Sequence, residues 1–371
     1  MEKLVVVEGW RNTPHSHAIV SQFQCLEFLN RPDLKLFHRE LPLLFPDSWK
    51  HMAGLFDPSS EQLLAAIPPP PHGMKSDITI RMNGAFEPRV EGKLFAFHVT
   101  EFGFGPSLVS HEKSAATIVT PSEWSRQGLV RRGACPDRVC VIPHGVDPQI
   151  FKPLPPSERA ELRRQLGWTG FVFLNIGAIT PNKGIGLLVK AFAAICERFP
   201  EARLFLKGLD SLYASTKNLT IAVERELSPR QIDQVKPHIG FTSTTLNFLD
   251  VAKLYQAADA YVSPYFGEGF NLPVLEALAC GTPVICTDGG PTDEFTIPDI
   301  SLKIESQKAD TKNDRGEPGI IINPNLNSLV AQMLRVLQDN DFISKARRLA
   351  PEFVRSRYTW KHVVDRWLDL F

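Results

Sequence analysis

Short apolar segments alternate with helical segments along most of this chain, and this alternation is the strongest constraint on its fold. In the first part of the sequence, helices are predicted near residues 17–29 and over PSEWSRQGLVRR (121–132). The candidate strands there are LVVVE (4–8), DITIRM (77–82), KLFAFHV (93–99), ATIVT (116–120) and RVCVI (138–142). Strands that alternate with helices favour a mostly parallel sheet with helices on both faces.

The alternation restarts after a proline-rich break, FKPLPPSER (151–159), which we interpret as a linker. A helix is predicted from about 183 to 198. The later candidate strands are FVFLNIG (171–177), ARLFLKG (202–208), HIGFT (238–242), DAYVSP (259–264), PVICT (283–287) and, as the last one, GIIIN (319–323). The sequence therefore predicts an α/β protein with two doubly wound, Rossmann-like domains, at residues 1–152 and 153–350.

The remaining residues, 351–371, are predicted to be helical. The segment YTWKHVVDRWLDLF has apolar side chains three and four positions apart, the period of an amphipathic helix. We expect this helix to pack back on the first domain.

Charge and hydropathy exclude several classes of protein. The chain has 41 basic and 41 acidic residues, so it lacks the basic excess typical of a nucleic-acid binder. The sequence has no run of about 18 apolar residues and no secretory signal, and its six cysteines form no C-x-x-C pair. These features predict a cytoplasmic protein with reduced cysteines and no transmembrane segment, and they leave a peripheral position at a membrane open.

The segment GEGFNLPVLEALACG (267–281) has the features of a ligand-binding turn. Gly267 and Gly269 follow a candidate strand, and glycine lets the backbone turn tightly and approach a ligand. Proline favours the first position of a helix, so a helix is predicted to begin near Leu272 or Pro273. The amides of Phe270, Asn271 and Leu272 would then lie at a helix N-terminus, a geometry that binds phosphate.

Two carboxylates, Glu268 and Glu276, accompany this turn. A carboxylate accepts two hydrogen bonds at once and so suits the vicinal hydroxyls of a sugar or a ribose. The alternative for Glu276, placed in or near the first helical turn, is that it only stabilises the positive end of the helix.

The chain resembles the family 4 retaining glycosyltransferases over roughly residues 95–290. The resemblance rests on the E-x7-E pair in GEGFNLPVLEALACGTPVI, on TPSEWSRQGLVRRGACPDRVCVIPHGVDPQIF (120–151), on NIGAITPNKGIGLLVKAF (175–192) and on LYQAADAYVSP. It implies the GT-B fold, in which two Rossmann-like domains face a central cleft. It also implies transfer of a hexose-type sugar from a nucleotide diphosphate to an acceptor hydroxyl.

The resemblance assigns donor-binding roles in the second domain. It implies that Glu268 holds the hydroxyls of the donor sugar, that Glu276 holds the ribose, and that Lys183 neutralises the diphosphate. The predicted donor contacts are Gly9 in the first domain and, in the second, Gly177, Lys183, Gly267, Glu268, Gly269, Phe270, Asn271, Leu272 and Glu276. The chain departs from the family after Gly177, where Ala178, Ile179 and Thr180 stand in place of the usual arginine.

Candidates in the first domain follow its strands. His98 ends a candidate strand, and a polar residue at the carboxyl end of a parallel strand faces the ligand crevice. The resemblance implies that His98 contacts the donor sugar near the reacting carbon, so His98, Glu268 and Lys183 are the predicted catalytic residues. The predicted acceptor-side residues are Asn12, His15, Ser16 and Glu101. Structural roles are predicted for Trp124 and His144.

The sequence also predicts what the protein does not use. Asp339-Asn340-Asp341 is interpreted as a helix cap and not as a metal site, and no cofactor or metal is expected. Neither LVVVEGWRN nor FLNIGAITPNKG supplies the G-x-G-x-x-G of a dinucleotide-dependent oxidoreductase. The alternative that stays open is a catalytically silent binding or scaffold protein of the same fold. The sequence leaves open the sugar, the base, the linkage, the oligomeric state and whether the acceptor is a sugar, a glycan or a lipid-linked molecule.

Overall fold

The structure is a computed structural model, and it describes residues 2–43, 45, 49–82, 92–105, 107–108 and 116–371. These residues form two compact units. Unit 1 consists of residues 1–147, 311–319 and 358–371, and unit 2 of residues 148–310 and 320–357. Within the described ranges, no helix is both long enough and apolar enough to span a membrane.

The described residues contain strands and helices in alternation. The strands are β1 (Lys3–Gly9), β2 (Leu34–Glu40), β3 (Ile78–Arg81), β4 (Lys93–Phe97), β5 (Thr117–Thr120), β6 (Val139–Val141), β7 (Val172–Ile176), β8 (Arg203–Lys207), β9 (Ile239–Thr242), β10 (Ala260–Ser263), β11 (Val284–Thr287), β12 (Ser301–Ile304), β13 (Ser306–Lys312) and β14 (Pro318–Pro324). The α-helices are α1 (Ser16–Phe28), α2 (Pro58–Ala66), α3 (Glu123–Arg131), α4 (Pro156–Gln165), α5 (Ile185–Arg198), α6 (Ser215–Glu226), α7 (Pro229–Val235), α8 (Phe248–Ala257), α9 (Leu272–Ala279), α10 (Leu326–Gln338), α11 (Asn340–Arg355) and α12 (Trp360–Leu368).

Unit 1 is built on a six-stranded parallel sheet in the order β2-β1-β3-β4-β5-β6. Its inner strands β1, β3 and β4 are largely apolar and almost wholly buried, as expected where helices cover both faces of a sheet. Helix α12 packs on α1 in this unit. The Trp360 ring stacks on Phe23 with the ring centroids 5.4 Å apart, and Trp367 is fully buried beside Phe95.

Unit 2 is built on a second six-stranded parallel sheet in the order β12-β11-β10-β7-β8-β9. Helix α5 supplies much of its core, because most of its residues from Ile185 to Cys196 are buried. The core continues through the strands to α10 and α11, where Met333 and Ala346 are fully buried.

The sequence predictions for unit 2 differ from the structure at three places. The proline-rich segment predicted as a linker is helical from Pro156, since α4 begins there and proline suits the first helical position. The segment predicted as the last strand, GIIIN, does lie in β14, but β14 pairs with β13 in a separate two-stranded sheet. The short strand β12, which the sequence analysis missed, is the last strand of the main sheet.

The elements of unit 1 agree with the predicted strands, and the sequence analysis missed β2 and α2. The domain limits at residues 152 and 350 stay a prediction, because compactness alone does not show which segments fold independently.

Candidate active site

The strand order of unit 2 reverses between β7 and β10, which are neighbours in the sheet. In open α/β sheets, ligands bind outside the carboxyl ends of the strands at such a reversal. Two loops follow those ends, one after Ile176 and the other after Ser263. They carry the glycine and charged residues that the sequence singles out, so the topology brings the two motifs together.

Lys183 and Glu268 form an ion pair between these loops. Nζ of Lys183 lies 2.7 Å from Oε1 of Glu268, and their side chains are 22% and 9% exposed. The loops are also joined through the backbone, because Phe266 N donates to Asn182 O at 2.7 Å and Asn182 Nδ2 donates to Gly267 O at 3.2 Å. A cation and a carboxylate are thus held side by side at the strand ends.

Gly184 fixes the distance between the first loop and β10. Its φ is +71°, in the left-handed region that favours glycine, and it precedes α5 directly. A Cβ atom at this position would lie 1.9 Å from the carbonyl oxygen of Pro264. Only glycine therefore lets the Lys183 loop pack against the end of β10.

Helix α9 begins at Leu272, where the sequence predicted it. Asn271 precedes the helix with φ +80°, and its Nδ2 donates to Ser263 Oγ at 2.9 Å, so its side chain does not cap the helix amides. Phe270 is buried and stacks on Phe295, with the ring centroids 4.7 Å apart. The side chains of Phe270 and Asn271 anchor the turn, while its backbone amides lie at the start of α9.

Glu276 is the fifth residue of α9, so it lies beyond the first helical turn that the sequence analysis allowed. Its Oε2 accepts a hydrogen bond from the Tyr255 hydroxyl at 2.9 Å. Burial raises the pKa of Glu276 to about 7, against the opposing effects of Tyr255 and of the charge on Lys207. Burial also lowers the pKa of Lys207 to about 8. The capping alternative for Glu276 is therefore wrong.

The loop after β7 opens with Gly177, whose φ is +155° and beside which a Cβ atom would meet no atom within 4 Å. Ile179, which lies in the stretch where the related family carries an arginine, is buried in the core of unit 2. Its backbone amide bonds to Ser215 Oγ at 3.4 Å. This apolar side chain contributes no charge to the loop.

In unit 1 the candidate residues lie at the carboxyl edge of the sheet. Gly9 ends β1, and a Cβ atom there would lie 3.1 Å from Cβ of Met82, so tight packing already accounts for this glycine. His98 follows β4, and its amide donates to Val119 O at 2.9 Å. The backbone carbonyl of Glu101 accepts a hydrogen bond from the Trp124 indole at 2.8 Å, which gives Trp124 the structural role predicted for it.

His17 interacts electrostatically with His15, His144 and His98 in unit 1. Burial lowers the pKa of His15 to about 4 and of His144 to about 3. Burial, together with the neighbouring His15, His144 and His98, lowers the pKa of His17 to about 3. His15, His17 and His144 are therefore neutral near pH 7, and they can donate or accept hydrogen bonds without adding charge.

Three of the predicted acceptor-side residues, Asn12, His15 and Ser16, lie at or just before the start of α1. His15 is its N-cap, and its Nδ1 accepts from His17 N at 3.2 Å. Asn12 has φ 55°, and its amide donates to Gln22 Oε1 at 2.9 Å. Ser16 is the exposed first residue of the helix. The role of these residues toward an acceptor stays a prediction.

The described residues contain no group of three or more His, Cys, Asp or Glu side chains placed to hold a metal ion. Asp339 accepts from Phe342 N at 2.9 Å at the start of α11, so its predicted capping role is confirmed.

Comparison with known proteins identifies the core of unit 2. Residues 170–339 match the family model described as "Glycosyl transferases group 1". Residues 170–339 form a glycosyl transferases group 1 domain. This domain contains β7 to β10 and α9, and so it holds Lys183, Glu268 and Glu276.

Two curated relatives are similar over part of the chain. Mannosylfructose-phosphate synthase of Agrobacterium fabrum is 30% identical over 231 residues, covering 62% of this chain and 46% of that protein. O-antigen chain mannosyltransferase B of Escherichia coli is 27% identical over 272 residues, covering 71% and 62%. The match therefore spans only about half the length of these curated relatives.

A solved structure shows the fold of the whole chain. The Anabaena protein HepE in complex with UDP and glucose superposes with a TM-score of 0.71 at 16% identity, covering 100% of this chain and 99% of that one. The chain has the GT-B fold, with two parallel six-stranded sheets and flanking helices. Both the fold and the resemblance to group 1 glycosyltransferases that the sequence predicted are confirmed.

Two residues of the group 1 domain escaped the sequence analysis. Tyr255 lies on α8 and Lys207 ends β8, so both are far from Glu276 along the chain. The only signal for Lys207 in the sequence is a charged residue that ends an apolar strand, the same signal that singled out His98.

Proposed function

We propose that this protein is a retaining glycosyltransferase that moves a hexose-type sugar from a nucleotide diphosphate to an acceptor hydroxyl. The observation that carries the proposal is the Lys183–Glu268 pair, 2.7 Å apart, at the strand reversal of a glycosyl transferases group 1 domain. In such a pair the lysine can bind phosphate oxygens and the carboxylate can bind sugar hydroxyls.

The two members of the pair take different parts of the donor in this proposal. A lysine ammonium is a compact charge that suits a diphosphate, whose negative charge grows as the nucleotide leaves. A carboxylate accepts hydrogen bonds from sugar hydroxyls. The backbone amides at the start of α9 add a partial positive charge on the same side of the sheet. Glu268 orients the sugar and Lys183 stabilises the leaving group.

Glu276 is proposed to hold the ribose. It follows Glu268 by eight residues and is the fifth residue of α9. Once ionised, its carboxylate accepts from two vicinal hydroxyls, and the Tyr255 hydroxyl fixes its orientation through a 2.9 Å hydrogen bond.

The proposed reaction breaks the bond between the anomeric carbon and the diphosphate oxygen. A new bond forms from the acceptor oxygen to the same face of that carbon, and the acceptor proton passes to an oxygen of the leaving diphosphate. No protein nucleophile is required. The contact of His98 with the sugar, and the roles of Asn12, His15, Ser16 and Glu101 toward the acceptor, belong to this proposal as predictions from the sequence.

The names of similar proteins indicate which donors to test. The names of two curated relatives contain the term mannosyl, and the Anabaena protein is described in complex with UDP and glucose. GDP-mannose and UDP-glucose therefore lead a donor panel, followed by ADP-glucose. The acceptor is proposed only as a hydroxyl of a glycan, a lipid or a small molecule.

The decisive experiment measures release of nucleoside diphosphate from this panel by the wild type and by Glu268→Ala. We expect release with at least one donor, a fall of at least a hundredfold in the variant, and an unchanged circular dichroism spectrum. A product whose anomeric configuration matches that of the donor, read by NMR coupling constants, would support retention. Full activity of Glu268→Ala would contradict the assignment.

A matched pair of lysines tests the leaving-group role. Lys183→Ala should lower turnover strongly, whereas Lys190→Ala, which removes a half-exposed lysine of α5, should leave it unchanged. The alternative of a silent binding protein predicts donor binding without release for the wild type. Equal activity of both variants would exclude Lys183 from the reaction.

Metal independence is part of the proposal, because Lys183 and the α9 amides supply positive charge to the diphosphate. Activity should persist in excess EDTA, and a loss that Mg²⁺ restores would contradict this point.

A further inference from the structure

We propose that unit 2 holds a second, phosphate-binding site at the sheet edge opposite the donor motifs. Three arginines converge there on a single carboxylate, Asp259, and a cavity opens beside two of them. Asp259 directly precedes β10, and its Oδ2 accepts from the first amide of β7, Val172 N, at 2.9 Å. The cluster thus lies at the amino ends of the same strands whose carboxyl ends carry Lys183 and Glu268.

Positive charge exceeds negative charge in this cluster. Oδ1 of Asp259 lies 2.6 Å from Nη2 of Arg159 and 3.1 Å from Nη2 of Arg347, and its Oδ2 lies 2.8 Å from Nη1 of Arg163. The four side chains are between 14% and 30% exposed. Three positive charges against one leave a surplus of two that is only partly solvated.

The three arginines differ in how many of their N–H donors have hydrogen-bond acceptors. Arg159 and Arg163 also donate to carbonyls at the end of α8, including Gln256 O and Ala257 O. Arg347 makes one side-chain hydrogen bond, to Asp259, and its buried Nε donates to no acceptor within the part of the chain that the structure describes. Burial and the neighbouring Arg159 lower the pKa of Arg347, as expected where like charges outnumber their counter-charge. Arg347 therefore has donor capacity that the protein does not use.

A cavity of about 240 Å³ lies against Arg159 and Arg347. A single water needs only about 10–15 Å³ by this measure, so the cavity can hold an oxyanion of several atoms. Gly281, with φ +77°, forms part of the wall, and a Cβ atom there would lie 3.1 Å from the carbonyl oxygen of Arg347. Pro153 and Leu154 line another side.

Phosphate fits these features better than a carboxylate does. A phosphate dianion matches the surplus charge of two, and the planar guanidinium donates two parallel hydrogen bonds to phosphate oxygens. The source can be free inorganic phosphate or a phosphate monoester, whose organic part would contact Pro153 and Leu154.

The test uses the full chain carrying Lys183→Ala, so that phosphate bound at the donor motifs does not interfere. Titration calorimetry at constant ionic strength measures binding of inorganic phosphate and of glycerol 3-phosphate. We expect saturable binding of one to one stoichiometry. Stronger binding of glycerol 3-phosphate would identify a monoester, and equal or weaker binding would identify the free ion; both results support the site.

Two substitutions on neighbouring positions of α11 give the matched comparison. Arg347→Gln should weaken phosphate binding at least tenfold, and Arg348→Gln, which removes an exposed arginine, should change it less than twofold. If Arg347→Gln fails to fold, Arg347→Lys keeps the charge and removes the planar fork, and should still weaken binding severalfold. Absence of saturable binding, or equal binding by Arg347→Lys, Arg347→Gln and Arg348→Gln, would overturn the proposal. The result does not depend on glycosyl transfer.

Discussion

At the residue scale, Glu276 is under two opposed demands. A ribose contact requires the ionised carboxylate, because only that form accepts at both oxygens. Folding shifts Glu276 toward the neutral form, because burial raises the pKa of Glu276 to about 7. Tyr255 and Lys207 partly offset the effect of burial on the pKa of Glu276. Hydrogen bonds from a bound ligand could therefore complete the ionisation of this carboxyl group.

The first prediction concerns stability against pH. The folded pKa of Glu276, about 7, lies above its ordinary value of 4.5, so its contribution is fully present below pH 4.5 and is lost as the pH rises through 7. Relative to Glu276→Gln, which does not titrate, the free energy of unfolding of the wild type should fall by about 2 kcal/mol between pH 5 and pH 8. Urea denaturation of both proteins across this range measures the difference.

The comparison with Glu276→Gln is needed because other buried groups titrate too. The pKa values of His15, His17 and His144 are lowered, so their contribution changes in the opposite direction and is lost as the pH falls below 6.5. Their effect is common to both proteins and cancels in the difference. A difference between the two proteins that does not vary with pH would contradict the raised pKa of Glu276.

Residue types alone could identify part of the site. Glu268, Lys183 and the start of α9 were predictable because glycine, proline and charged residues stand at strand ends in recognisable order. The ion pair between Lys183 and Glu268 was not, since it joins side chains 85 positions apart. Tyr255 and the Asp259 cluster were missed for the same reason: their roles arise from neighbours that only the folded sheet brings close.

At the element scale, the loop between β7 and α5 depends on one glycine. Gly184 has a left-handed backbone and lies close to the carbonyl of Pro264. A side chain at this position would therefore cause both backbone strain and a steric clash. The sequence predicted the helix that follows, but it could not show the clash with Pro264, which only the folded sheet creates.

The second prediction compares two glycines to separate the cost of the left-handed backbone from the cost of the clash. Gly184→Ala should lower the free energy of unfolding by more than about 3 kcal/mol, because the clash adds to the left-handed cost of about 1–2 kcal/mol. Gly167→Ala has a similar φ of +67° and nothing within 4 Å, so it should show the left-handed cost alone. Chemical denaturation of both variants measures the difference, and equal losses would show that the close approach to Pro264 has no energetic weight.

The elements that the sequence predicted are those with long apolar runs and clear end signals. Strand β12 was missed because SLKI is short and interrupted by a lysine, and β14 was assigned to the main sheet because an apolar strand carries no information about its partner. The proline-rich segment before α4 was misinterpreted because proline disfavours a helix interior but suits a helix start. Sheet order is thus the part of the fold that local sequence could not provide.

At the scale of the whole molecule, unit 1 takes residues from both sides of unit 2 in the sequence. Helix α12 belongs to unit 1 and packs on α1, and Trp367 is fully buried there. The apolar spacing of the final segment predicted the helix, and the structure gives the neighbours that bury it.

The third prediction tests the contribution of α12. Trp367→Ala should lower the free energy of unfolding of unit 1 by about 3–5 kcal/mol, the usual cost of removing a buried tryptophan. Hydrogen exchange should lose protection in β1, β3 and β4 and keep it in β7, β8 and β10. Arg366→Ala, an exposed neighbour on the same helix, serves as the control. Equal loss of protection in both units would show that they unfold as one.

The division of unit 1 between distant segments also sets an order of events on the ribosome. Residue 358 follows residue 147 by 211 positions (358 − 147). At about 5–20 residues per second, synthesis of that stretch takes about 10–40 s. Nearly all of unit 2 is synthesised in that interval, while the surface of α1 that receives Trp360 stays uncovered. The glycosyl transferases group 1 domain is therefore synthesised before the segment that completes unit 1, and the nascent chain must tolerate an exposed apolar surface for that time.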